Sequence, residues 1–282
     1  MVEPAKSNAA HYDANYGNFE SELYSEIRRE AYGEDIGQNS WLTADEQDRF
    51  IEHLRLSPGK KLLDVACGAG GPALRVAAKT GCSIVGIDIH DQAIAAAKSL
   101  AAARGLSAVA DFRIASATGR LPFTDCEFDA ITCIDAINHL PERSATIREW
   151  ARILRPGGRL LFTDPISVTG PLSNDEIAVR SAAGYFLFVP AAYDRDVISA
   201  SGLRLLFSDD VTENTARIAE GRRLARETRE VALRKLEGDA GFEQQQKFLS
   251  VAARLARERR LSRFVYVAER PVLTAREKGS AV

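Results

Sequence analysis

Two acids and a pair of glycines are the first residues in this chain whose types and spacing could do chemistry. Asp64 lies toward the end of the strand-like run Lys61-Leu62-Leu63-Asp64-Val65-Ala66, and Gly68 and Gly70 follow closely. Ala73 completes a Gly-x-Gly-x-x-Ala pattern before Leu74-Arg75-Val76-Ala77-Ala78, which has helical spacing. Strand, tight turn and helix N-terminus are the parts of a nucleotide site in a doubly wound fold. A second acid, Asp88, ends the run Ser83–Asp88 roughly twenty residues beyond the loop, where a carboxylate can accept both hydroxyls of a ribose. Downstream, Ile134-Asp135-Ala136-Ile137-Asn138-His139 places an acid and an imidazole after another strand-like run. Either could contact a substrate or move a proton.

The loop's own composition narrows the nucleotide. A pyrophosphate wants backbone N–H groups at the helix start and no anion nearby. Asp64, four residues before Gly68, would repel it, and Pro72 removes one N–H from the first helical turn. Both features suit a ligand with an ammonium and no phosphates, and S-adenosylmethionine is such a ligand. The alternative, an NAD(P)-dependent oxidoreductase, is disfavoured by the same two residues.

The elements that must position these groups follow from periodicity. From Lys60 onward, short apolar runs alternate with helical stretches. Strands are expected at 61–66, 83–88, 111–115, 128–134 and 159–163, with a sixth at 203–207 and a seventh at 262–268. That alternation predicts an α/β doubly wound, Rossmann-like sheet whose ligands sit at the carboxyl ends of the strands. Before it, residues 1–59 read as an N-terminal helical lid. One helix is expected near Phe19–Arg29 and a second over Ala44–Leu56, the latter opened by a Thr43/Glu46 capping box. Residues 213–259 read as a helical cap insertion, one long arginine-rich helix to Glu237 and a second from Phe242, broken by Gly238-Asp239-Ala240-Gly241. The core is then 60–212 with 260–270, and 271–282 is a flexible tail.

Composition excludes several classes. A formal net charge of −2 gives no global case for nucleic acid or an anionic membrane. No apolar run approaches the ~20 residues that a membrane span requires, and the polar, small residues 1–10 do not form a signal peptide. Cys67, Cys82, Cys126 and Cys133 show no C-x-x-C pair and no histidine at zinc spacing, so no metal site is expected. They read as reduced, mostly buried thiols of a cytoplasmic protein. The arginines of 217–234 alternate with Glu213, Glu220, Glu227, Glu230 and Glu237 at helical spacing, which describes an ion-paired face, not a phosphate site.

Five segments in order carry a resemblance: Leu63-Asp64-Val65-Ala66-Cys67-Gly68-Ala69-Gly70, Val85-Gly86-Ile87-Asp88, Leu121-Pro122-Phe123, Phe128-Asp129-Ala130-Ile131 and Leu154-Arg155-Pro156-Gly157-Gly158-Arg159-Leu160. Together they resemble the class I S-adenosylmethionine-dependent methyltransferases, over residues 60–165. The resemblance implies a seven-stranded sheet of order 3-2-1-4-5-7-6 with the last strand antiparallel. It implies cofactor contacts at Asp64, Gly68, Gly70 and Asp88, with Ile89 against the adenine and Ser116-Ala117 where many members carry an Asp before Ala. Ile134 joins these contacts, as do Tyr16 and Trp41 from the lid. The rest of the chain is similar to the small-molecule branch of sarcosine/dimethylglycine, phosphoethanolamine and sterol methyltransferases. That implies a small-molecule acceptor bound near Asp135, His139, Tyr185 and Phe188, within an aromatic lining that Tyr12, Tyr24 and Phe186 could extend. Asp135 and His139 are the candidate catalytic groups. The accepting atom, N, O or C, stays open, as do a homodimer and a methyltransferase fold used for binding or for non-methylating chemistry.

Overall fold

A computed structural model describes residues 16–182 and 184–272. Tyr12 and most of the expected tail lie outside the described residues. The N-terminal part supplies α1 (Glu22–Tyr32) and α2 (Ala44–Leu54). The sheet alternates with helices as β1 (Lys61–Val65), α3 (Gly71–Thr80), β2 (Ser83–Asp88), α4 (Asp91–Ala103), β3 (Ala110–Ile114) and β4 (Phe128–Cys133). A 3-10 turn, Ile137–His139, leads to α5 (Arg143–Ile153) and the long β5 (Leu154–Val168). Then come α6 (Asn174–Arg180), the two-residue β6 (Val189–Pro190), α7 (Tyr193–Ala200) and β7 (Arg204–Asp210). Two helices, α8 (Thr212–Glu227) and α9 (Glu230–Arg257), precede β8 (Leu261–Glu269).

The sheet runs β3-β2-β1-β4-β5-β8-β7, with β6 added beside β5. Strands β1 to β5 pair parallel, and β8 is antiparallel to both its neighbours. Leaving out the two-residue β6, this is the expected order 3-2-1-4-5-7-6.

Successive residues of each central strand face opposite sides, and both sides are buried, so the strands are apolar throughout. Leu63, Val85, Ile131 and Leu160 pack with Ile147, Trp150 and Ile153 of α5 and Ile198 of α7. Leu62, Ile84, Ala130 and Leu161 pack on the other side with Phe50 and Leu54 of α2 and Val76 of α3. Helix α8 lies on α1 and α9 on α6, which puts the insertion over the N-terminal segment.

The expected helix over 213–237 ends earlier. Thr228 and Arg229 separate α8 from α9, and the non-helical residue Gly238 (φ 75°) breaks α9 internally. The glycine was legible as a breaker. The earlier break was not, because Thr228 and Arg229 carry no sharp turn signal. One fully buried charge cluster sits under α5. Arg143 Nη1 donates to Asp164 Oδ2 and Asp194 Oδ1, both at 2.8 Å. Burial and the neighbouring Asp164 push the Asp194 carboxyl up to about 7.

Candidate active site

The glycine loop is built as its sequence requires. Gly68 (φ 53°) and Gly70 (φ 73°) are left-handed, and Gly70 caps α3 with Pro72 in its first turn. A Cβ on Gly68 would lie 2.6 Å from the Tyr16 hydroxyl, so Tyr16, expected as a cofactor contact, packs against the loop itself. A Cβ on Gly71 would come within 2.0 Å of the Ile36 carbonyl. The loop 36–37 therefore packs directly on the first turn of α3, which only a glycine there permits.

Asp64 and Asp88 stand at the carboxyl ends of adjacent strands. Asp64 is 4% exposed and accepts a hydrogen bond from Thr132 Oγ1 at 2.7 Å. Burial, aided by repulsion from Asp88, pushes its carboxyl up to about 7, with the Thr132 bond opposing. An ammonium is the partner that would keep this group ionised. Both oxygens of Asp88 hold backbone at the site. Its Oδ2 accepts the Gly68 N–H at 2.9 Å, and its Oδ1 accepts the His90 N–H at 3.0 Å at the start of α4. Each oxygen keeps a second lone pair for a ribose hydroxyl.

Beside Asp88, Ile89 is 62% exposed and Ile114, in register with Asp88 on β3, is 63% exposed. Two large apolar side chains are thus left exposed at the carboxyl ends of β2 and β3. Ile114 was missed from sequence, where it reads as one more strand residue. Ser116 spends its hydroxyl on its own turn, accepting from Thr118 N at 3.1 Å, with Ala117 between them. Cys67 packs inward against Leu74, Ile94 and Phe112.

On the acceptor side, Asp135 adopts a left-handed backbone (φ 54°) and its carboxylate is engaged within the protein. Oδ1 accepts from Thr163 Oγ1 and from Arg263 Nε, both at 2.6 Å, and Oδ2 accepts the Trp41 N–H at 2.8 Å. Arg263 is fully buried, and its Nη1 donates at 2.8 Å to both oxygens of Glu46, itself 0% exposed. The capping box expected at α2 is thus half made. Thr43 Oγ1 accepts from Glu46 N at 3.2 Å, but the Glu46 carboxylate turns to Arg263. A buried guanidinium outbids a backbone N–H because charge-assisted bonds are the stronger kind. Arg263 could not be found from sequence, being one arginine among many on an apolar strand.

His139 Nδ1 lies 3.0 Å from the Tyr185 carbonyl oxygen, and its ring meets Phe186 edge-on at 4.7 Å. Burial lowers its pKa to about 4, with Arg180 and His90 adding repulsion and the Tyr185 bond opposing. Since a carbonyl only accepts, the neutral ring carries its proton on Nδ1 and its lone pair on Nε2. Tyr185 is 45% exposed, and Phe188 packs near Ile166, Leu255 and Leu261. Trp41 commits its indole to the cluster with Tyr32, Ile218 and Leu249, and Ile134 packs beside the Leu62 side of the sheet. Tyr24 points instead to Glu237 of α9.

The arginine-rich insertion is ion-paired, with Arg223 to Glu220 and Glu227, Arg229 to Glu26 and Glu30, and Arg234 to Glu230. Among the described residues, no helix is long and apolar enough to cross a membrane, and no His, Cys, Asp and Glu cluster could hold a metal.

The model of the methyltransferase domain family matches residues 63–162. The methyltransferase GfsG of Streptomyces halstedii is 36% identical over 174 residues, 60% of this chain and 61% of that protein. The chain therefore spans less than two thirds of that relative. The 27-O-demethylrifamycin SV methyltransferase of Amycolatopsis mediterranei (strain S699) is 30% identical over 206 residues, 69% of this chain and 75% of that protein. Among solved structures, the [4+2]-cyclase SpnF superposes with a TM-score of 0.76 at 25% identity, covering 96% of this chain and 99% of that one. With the strand order, the glycine loop and these relatives in agreement, the chain belongs to the class I S-adenosylmethionine-dependent methyltransferases, and S-adenosylmethionine is its cofactor.

Proposed function

We propose that this protein methylates a hydroxyl oxygen of a small organic acceptor. The observation that carries the choice of oxygen is His139, held neutral by burial, with the Tyr185 carbonyl fixing its proton on Nδ1 and leaving the basic nitrogen at Nε2. An amine can attack through its own lone pair, whereas a hydroxyl must lose a proton, and a neutral imidazole is the group to take it. A relative whose name describes methylation of 27-O-demethylrifamycin SV supports an oxygen acceptor.

The cofactor supplies a methyl group already activated on a sulfonium. The chain's part is to hold, align and keep water away. Asp64 receives the ammonium, Asp88 the ribose hydroxyls, and Ile89 and Ile114 flank the base. Tyr16 covers Gly68 from the lid. Ser116, expected at the adenine, keeps at most a neutral contact. Asp135 we assign to positioning, since Thr163, Trp41 and Arg263 already occupy its carboxylate. It ties the turn that leads to His139 to the lid loop that carries Trp41.

The test is a panel of hydroxylated and aminated acceptors incubated with S-adenosylmethionine, with products identified by mass. Methyl ethers formed by the wild type and lost in His139→Ala support the reading. N-methylated products made equally well by His139→Ala would replace it. The likeness to a [4+2]-cyclase over nearly the whole chain favours one second reading, non-methylating chemistry on a retained cofactor site. That reading expects acceptor turnover with no gain of a methyl mass.

A further inference from the structure

Between α1, α8 and α9 lies a cavity of about 20 Å3, lined by Tyr24, Arg28, Tyr32, Asn39, Arg222 and Arg226 among others. That is room for one or two water-sized occupants. Its charges do not balance internally. Arg28 Nε is held by both Asp35 oxygens at 3.0 Å, and Arg226 binds Glu237 through Nη1 at 2.9 Å and Nη2 at 2.6 Å. Arg222 has no such partner among the described residues. It reaches the Tyr32 hydroxyl and Asn39, the latter through Nη1 to the backbone oxygen at 3.5 Å and Nη2 to Oδ1 at 3.4 Å, both long for hydrogen bonds.

A second observation concerns Arg226, which is 3% exposed. Its Nε is buried and donates to nothing. Tyr32 and Tyr24 have already given their hydroxyl protons away, to the Ser40 carbonyl at 2.6 Å and to Glu237. The cavity is therefore lined by Arg226, which has one orphaned guanidinium N–H, and by the half-buried Arg222, which has no carboxylate partner among the described residues. A buried donor left unmade costs about 1–3 kcal/mol, more for a charged group. The neighbouring carboxylates are committed elsewhere, Asp35 to Arg28 and Glu237 to Arg226. The Trp41 ring lies 5.8 Å from the Arg222 guanidinium.

We propose that this cavity is a binding site for a small monovalent anion, a carboxylate head or a halide, held by Arg222 and Arg226 Nε. The occupant joins α1, which supplies Arg28 and Tyr32, to α8, which supplies both ligands. It thereby fixes the seam between the lid and the insertion, beside the loop 39–41 that reaches Asp135. A water could satisfy Arg226 Nε, but it leaves the Arg222 charge in place. The anion answers both.

The full-length protein is titrated with sodium formate, and with sodium chloride, at constant ionic strength kept with sodium gluconate, an anion too large for the cavity. Thermal midpoint is followed. Formate is expected to raise the midpoint with a saturable dependence that gluconate lacks. Arg222→Gln should raise the half-saturating concentration at least tenfold, with partial retention in Arg222→Lys. Asn39→Asp, which puts a carboxylate beside Arg222, should raise the midpoint without formate and abolish the formate response. It keeps the test alive if the arginine variants fold poorly. An equal response to formate and gluconate, or the same formate response in wild type and Arg222→Gln, overturns the site. Saturating S-adenosylhomocysteine separates the sources of the anion. An unchanged formate response keeps the site independent, whereas competition assigns the position to the cofactor's own carboxylate and overturns the proposal.

Discussion

Arg263 Nε donates to Asp135 Oδ1 at 2.6 Å, joining β8 to the turn after β4. Through Nη1 the same guanidinium holds Glu46 of α2, so one buried arginine spans β8, the β4 exit and the lid. The trio has two carboxylates for one cation. Arg263→Met should lower stability by roughly 3–5 kcal/mol, because it strands two buried carboxylates. Glu46→Gln should cost clearly less, since Arg263 still serves Asp135. Chemical denaturation of the two variants checks the order, and a larger loss in Glu46→Gln would show that the trio is wrongly apportioned.

Cofactor binding should depend on pH through Asp64. Its carboxyl titrates at about 7 in the free protein, raised by burial, and a bound ammonium must pull it down. Binding therefore releases a proton and strengthens as pH rises through 7. Below that pH, S-adenosylhomocysteine affinity should fall about tenfold per pH unit. Titration calorimetry between pH 5.5 and 8.5 reads this, and Asp64→Asn should flatten the dependence while weakening binding at the top of the range. A flat wild-type profile would mean that Asp64 does not meet the ammonium.

These contacts show how far the sequence could be read. The places of Asp64, Gly68, Gly70 and Asp88 in the fold are legible because they are local: a strand end, a turn needing positive φ, a helix start. The sheet order is legible for the same reason, each strand being a short apolar run between helices. Asp135 was found as a residue but not in its role, since its partners Trp41, Thr163 and Arg263 come from three distant segments. Glu46 was read as a capping residue by local spacing, and a buried guanidinium 217 positions away took its carboxylate. Ile114 shows nothing on the page of letters. Only its exposure beside Ile89 marks it.

His139 should act without titrating near neutrality. Its pKa lies at about 4, lowered mainly by burial, so the imidazole is neutral from about pH 5 upward. The rate of methyl transfer should show no ionisation between pH 6 and 8 attributable to this ring. His139→Ala should reduce turnover by about 10²–10⁴-fold, the usual span for a general base, with S-adenosylhomocysteine affinity kept within twofold. Loss of cofactor affinity in that variant would make His139 a structural residue.

Asp194 gives the fold its own pH dependence. Its carboxyl is raised to about 7 when folded, from a reference value of 3.8, so the folded state holds this proton more tightly than the unfolded one. Stability contributed there is present at pH 4 and is lost as pH rises toward 7. The thermal midpoint of the wild type should fall between pH 5 and 8 by more than that of Asp194→Asn. Equal falls in the two proteins would place the proton elsewhere.

Methyl transfer itself is tested most directly by incubating the protein with S-adenosylmethionine labelled in the methyl group and a small-molecule extract, then separating the products. The proposal expects label in a low-mass organic product as a methyl ether, formed by the wild type and reduced at least a hundredfold in His139→Ala. Tight binding of S-adenosylhomocysteine with no label transferred to any acceptor, while the extract is otherwise converted, would contradict it.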